Sequence, residues 1–72
     1  MNYLWEELAN AIVLQAVKDY RIARWRVRRF AGAKKSQATI RECECFFRSG
    51  WFRLLTDLNG EELLKELRSE VA

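Results

Sequence analysis

The 72-residue chain contains no proline, no histidine, two cysteines, three glycines and one methionine. With proline absent, the strongest interruptions left are Gly32, Gly50 and Gly60, which fall between runs of helix-favouring residues. The economical reading is a set of helices separated by these glycines. With histidine absent, neither a zinc site with imidazole ligands nor a Cys–His nucleophile pair can be built. The two thiols, Cys43 and Cys45, stand two positions apart in RECECFF. On a helix that spacing turns them about 200° from each other, so they cannot join in a disulfide. Cys43 then reads as a small core residue and Cys45 as a thiol nearer the polar flank.

Long apolar runs are missing too. The longest uncharged one, LANAIVLQAV, is about half of the roughly 20 residues that a membrane span needs. The opening MNYLWEEL has no positive segment ahead of its apolar residues, unlike a secretion signal. We therefore expect a cytoplasmic protein with no membrane partner.

What is present is enough for a core. Half of the residues are apolar and nine are aromatic. A chain this short forms one domain, 1–72, near the lower size limit for folding without metals or disulfides.

The first helix is expected to start after Asn2, a good N-cap, with Glu6 and Glu7 near the positive end of its dipole. Trp5, Ala9, Ile12, Ala16, Tyr20, Ala23, Val27 and Phe30 recur at steps of three and four, a helical stripe that runs to Gly32 as the C′ residue. A helix of about 28 residues measures roughly 42 Å. A compact domain of this size has a diameter of roughly 29 Å. Either shorter helices lie end to end along the long one, or its far end pairs with a second copy through Ala23, Val27 and Phe30. A homodimer is the second expectation.

The second helix is predicted over Ser36–Arg48, with Ile40, Cys43 and Phe47 on one face and Phe46 beside them. Ser49 and Gly50 interrupt it, and GWFRLLT supplies one or two turns carrying Trp51, Phe52, Leu54 and Leu55 as an apolar plug. The last helix has the clearest start: Asn59 caps, Glu62 stands at N3, and Leu58 and Leu63 are placed to form a hydrophobic staple. Leu63, Leu64, Leu67 and Val71 form its buried stripe. Asp57 and Asn59 do not make a calcium loop, because the glycine comes at the fourth position and no later ligand fits. The fold class is all-α: one long N-terminal helix with two or three shorter helices packed along it.

Charge is unevenly placed. Residues 1–17 carry only Glu6 and Glu7, for −2. From Lys18 to Lys35 eight positive side chains face Asp19 alone, for +7, and from Ser36 onward five positive face seven negative, for −2. These sum to the net +3 of the chain. The stretch RIARWRVRRFAGAKK, residues 21–35, has seven cations and no acid.

Two readings of that stretch compete. Basic residues at a helix C-terminus are favoured by its dipole, and an arginine over Trp25 adds a cation–π contact, so a solvated face accounts for Arg26, Arg28 and Arg29. It does not account for Lys34 and Lys35, which precede the next helix, where the dipole favours acids. Arginine forks, lysines and an aromatic platform together are the composition that grips a nucleic-acid backbone. The candidate site for nucleic acid or another anionic partner is therefore Arg21, Arg24, Trp25, Arg28, Arg29, Lys34 and Lys35, with Arg21, Arg24 and Arg28 in one helical row. An acidic host protein is the other partner such a patch admits.

A second candidate surface is FFRSGWF. Phe46, Trp51 and Phe52, flanked by Arg48 and Arg53, crowd more aromatic area around one elbow than such a turn usually buries, and aromatics with arginine are enriched at the centres of protein interfaces. No glycine-rich phosphate loop and no nucleophile–base pair is visible, and the carboxylate pairs Glu42/Glu44 and Glu61/Glu62 fall on predicted helix surfaces. No enzyme, cofactor or metal is expected.

IRECECFFRSGWF followed by LTDLNGE, and more loosely AIVLQAVKDYR before it, resembles small helical proteins carried by prophages and mobile elements of Firmicutes. Cys45 and Asn59 depart from that pattern, which has a polar or basic residue and an aspartate there. The resemblance implies a phage or mobile-element accessory protein without an assigned activity. It admits a small nucleic-acid-binding protein or, as the alternative, an inhibitor that binds a host protein, for example of a defence system, through the aromatic elbow.

Overall fold

The computed structural model describes residues 3–70. It holds four helices and, among the described residues, no strand: α1 Tyr3–Arg29, α2 Lys34–Phe47, α3 Gly50–Leu55 and α4 Gly60–Ser69. The all-α expectation holds. The proposed cap Asn2 and the stripe residue Val71 lie outside the described residues.

The 27 residues of α1 give a rod of about 40 Å. The molecule measures 46 × 20 × 20 Å, so α1 sets its long axis. The conflict between helix length and globule diameter is resolved by ranging the shorter helices along the rod. The four-residue turn 30–33 reverses the chain, and α2 runs back antiparallel, with the Cys43 thiol 3.8 Å from the Ala16 carbonyl oxygen. α3 continues toward the start of α1, where Trp51 meets Trp5 edge-on at 6.2 Å. α4 then lies against α2 and ends beside Arg21 and Arg24 of α1.

Burial on α1 falls on Ala9, Val13, Val17, Tyr20 and Ala23, with Trp5, Ile12 and Ala16 packed at the margin. The expected stripe is thus rotated slightly toward the valines. Toward the far end the stripe opens to solvent: Val27 is half-buried, and Phe30, just past the last residue of α1, is 62% exposed. Tyr20, Phe47 and Phe52 are the largest fully buried side chains. Their rings meet edge-to-face, Tyr20–Phe47 at 6.0 Å and Phe47–Phe52 at 5.6 Å, and Phe46 closes the cluster at 5.5 Å from Phe47.

Two boundaries differ from expectation. α1 ends at Arg29, and Gly32 has no positive φ, so it is not a left-handed C′ cap; the turn is closed by Ala33 N–H donating to the Phe30 carbonyl at 3.0 Å. α2 begins at Lys34, which puts Ser36 inside the helix and buried. Ser49 ends one helix and starts another: its hydroxyl donates to the Phe46 carbonyl at 2.6 Å and accepts the Phe52 N–H at 3.1 Å. The start of α4 is as read, with Asn59 Oδ1 accepting the N–H groups of Glu61 and Glu62 at 2.9 and 3.2 Å. Gly60 follows because there is no room for more: a Cβ there would overlap the Phe47 carbonyl oxygen at the end of α2.

Candidate nucleic-acid interface

The cations predicted as one site divide into two groups. The first is turned toward α4. Arg21 makes a two-pronged contact with Glu70, Nε to Oε1 at 2.9 Å and Nη2 to Oε2 at 2.7 Å. That hydrogen-bonded partner raises the Arg21 guanidinium and lowers the Glu70 carboxyl from their ordinary values. Arg24 lies over the Tyr20 ring at 5.7 Å and donates to the Arg68 carbonyl at 3.4 Å. Of the predicted row, Arg28 alone has no such partner among the described residues.

These contacts surround a centre that inspection of the sequence missed. Glu44 on α2 accepts the Tyr20 hydroxyl of α1 at 2.9 Å and the Arg68 guanidinium of α4 at 3.0 Å. Burial pushes the Glu44 carboxyl up, but the hydrogen bonds from Arg68 and Tyr20 outweigh it and hold the carboxyl below its ordinary value. One carboxylate therefore ties three helices together. The only sequence signal was an acid, Glu44, next in the chain to the core-facing Cys43.

The second group stands at the tip of the rod, where α1 gives way to α2. Arg26, Arg28, Arg29, Lys34 and Lys35 are all exposed. None has an ion-pair partner among the described residues, whereas Arg21, Arg48 and Arg68 are each paired with a carboxylate. Arg29 stacks on the Trp25 ring at 4.8 Å, and Trp25 remains 43% exposed. α2 opens with its two lysines, no acid in the first turn and no side-chain cap on Ala33, so the positive end of its dipole adds to the cations. Gln37 Nε2 donates to the Ala31 carbonyl at 3.1 Å and holds the turn against α2. Arg26, left out of the row on helical geometry, belongs to the tip.

The aromatic elbow is less open than its composition implies. Phe52 is buried in the core and Phe46 is half-buried, so neither forms a surface patch. Arg48 is bonded through Nε to Glu61. What remains outside is Trp51 at 48%, Leu54 at 70% and Arg53.

One member of each carboxylate pair has a structural partner: Glu61 with Arg48, and Glu44 with Tyr20 and Arg68. Among the described residues no group of three His, Cys, Asp or Glu side chains could hold a metal ion, and no helix is long and apolar enough to cross a membrane. No protein-family model, curated protein or solved structure matches the chain.

Proposed function

We propose that the chain is a non-catalytic nucleic-acid-binding protein that holds the phosphate backbone with the basic tip at the α1–α2 turn. The observation that carries this reading is the cluster of five exposed cations, Arg26, Arg28, Arg29, Lys34 and Lys35, within ten residues and without ion-pair partners among the described residues. Like charges set this close repel one another, and phosphate offsets that repulsion while releasing counterions. The contacts are to backbone, so binding is expected to vary little with sequence. With the resemblance to proteins of prophages and mobile elements, this makes the chain an accessory nucleic-acid binder of such an element, acting in the cytoplasm. The test is fluorescence anisotropy of a labelled duplex titrated with the protein at about 50 mM salt, where phosphate attraction is strong. Saturable micromolar binding is expected, and none would overturn the proposal.

A second reading rests on the exposed Trp51, Leu54 and Arg53, which suit the centre of a protein interface. It makes the chain an inhibitor of a host protein, for example one of a defence system. Trp51→Ala separates the two: it leaves duplex binding unchanged under the first reading and removes partner binding under the second.

A further inference from the structure

The long helix is apolar on two sides. Its inner stripe meets the rest of the chain. On the outer side, Leu4, Leu8, Leu14, Ile22 and Trp25 are exposed by 75, 55, 62, 50 and 43%. At 100° per residue these five lie within about 60° of a common line, nearly opposite the buried stripe. From Leu4 to Trp25 the strip is about 32 Å long. Large apolar side chains exposed in one line along a helix mark an interaction site. Lys18, which also lies on the strip, can lay its methylene stem along it and keep its ammonium in water.

Charge decides the occupant. The N-terminal half of α1 carries Glu6 and Glu7, both exposed and without ion-pair partners among the described residues. The C-terminal half carries the arginines. It also lines an open groove of about 690 Å³, to which Ile22, Trp25, Arg26 and Arg28 contribute together with Leu67 and Glu70. The groove calls for an apolar helix that carries an acid on the same face, and Leu4, Glu7 and Leu8 meet that description.

We propose that a second copy of this chain covers the strip, with the two α1 helices antiparallel and each N-terminal segment seated at the other's groove. Setting Leu8 beside the partner's Ile22 places the twofold axis near Gln15. Leu4 then lies level with the partner's Arg26, beside Trp25, and Glu7 falls within one turn of that arginine. A parallel pair would instead bring the two arginine-rich ends together. The interface is self-complementary, as a twofold dimer requires. It differs from the dimer face expected from sequence, since Ala23 is only 3% exposed within a single chain. The arrangement leaves Arg28, Arg29, Lys34 and Lys35 open at both ends. It does not depend on the nucleic-acid reading, and its test uses none.

Sedimentation equilibrium at tens of micromolar protein should report a dimer. Leu8→Glu and Ile22→Glu should each weaken association roughly tenfold or more, since each places a charge where an apolar side chain was covered. Leu54→Glu, at a still more exposed leucine but on α3, should leave the dimer intact. Circular dichroism checks that the variants fold, as their side chains are exposed in the monomer. A monomer at these concentrations overturns the proposal. Orientation is read by oxidative cross-linking in a Cys45→Ser background. Leu8→Cys chains should link to Ile22→Cys chains and not to themselves, because two copies of position 8 lie about 21 Å apart along an antiparallel pair, beyond disulfide reach. A dominant 8–8 link would mean a parallel pair and would equally overturn it.

Discussion

Replacing Gly60 by alanine adds one methyl group at the point where α4 enters against the end of α2. The ideal Cβ position overlaps the Phe47 carbonyl oxygen and lies 3.6 Å from the Phe52 ring. The atom in the way is backbone, and the carbonyl belongs to the last residue of α2, so no rotamer change relieves the clash. Either α4 moves away from Phe47 or α2 unwinds at its end. Forcing extra carbon into a packed site costs about 1 to 3 kcal/mol. In a domain of this size each kcal/mol moves Tm by roughly 4 to 8 °C, so Gly60→Ala should lower Tm by roughly 5 to 20 °C. Gly50→Ala is the matched control. It also stands at the first position of a helix, yet a Cβ there meets nothing within 4 Å. Without a clash, alanine restricts the unfolded chain and should hold Tm or raise it, by up to about 1 kcal/mol of stability. Thermal melts of both variants by circular dichroism make the comparison. A Gly60→Ala protein that melts within about 2 °C of the wild type would refute the docking of α4 on Phe47.

The thiols differ in access and in chemistry. Burial, then the charges of Asp19, Glu42 and Glu44, pushes the Cys43 thiol up, while Cys45 is exposed, so a thiol reagent on native protein should modify Cys45 at least about tenfold faster. Equal rates, read by mass spectrometry, would contradict the helical register of α2. Acid should weaken the fold through Glu44. Its carboxyl is held below the ordinary value of about 4.5, so its contribution is complete above that pH and is lost as pH falls through the lower, folded value. Melts across this range should show a Glu44→Gln protein that is less stable at neutral pH and declines less on acidification. Parallel declines would exclude Glu44 as the group that titrates.

The fold was legible where local signals and burial agree. The Asn59 cap and the Cys43–Phe47 face could be read because a cap and a stripe are written in neighbouring residues. The three glycines looked alike in sequence, yet only Gly60 is required by a close approach, and that depends on where α4 docks. The same limit applies to the candidate site. Arg21, Arg24 and Arg28 form a row on any helix, but whether an arginine is free depends on residues more than 40 positions away, Arg68 and Glu70. Phe52 could not be told from Trp51 by composition. One points into the cluster with Phe47 and the other outward, a difference set by Ser49 starting a new helix between them and α2.

The salt dependence of duplex binding tests the basic tip most directly. Four phosphate contacts at one tip, from Arg28, Arg29, Lys34 and Lys35, predict a slope of about −3.6 for log K against log salt on duplex DNA, at about 0.9 per contact. Replacing Lys34 and Lys35 together by glutamine should flatten it by about 1.8 units and weaken all sequences alike. Arg21→Gln should leave the slope unchanged, because that arginine is held by Glu70. Equal slopes for the wild type and the double lysine variant, or a larger loss from Arg21→Gln, would contradict the assignment of the tip.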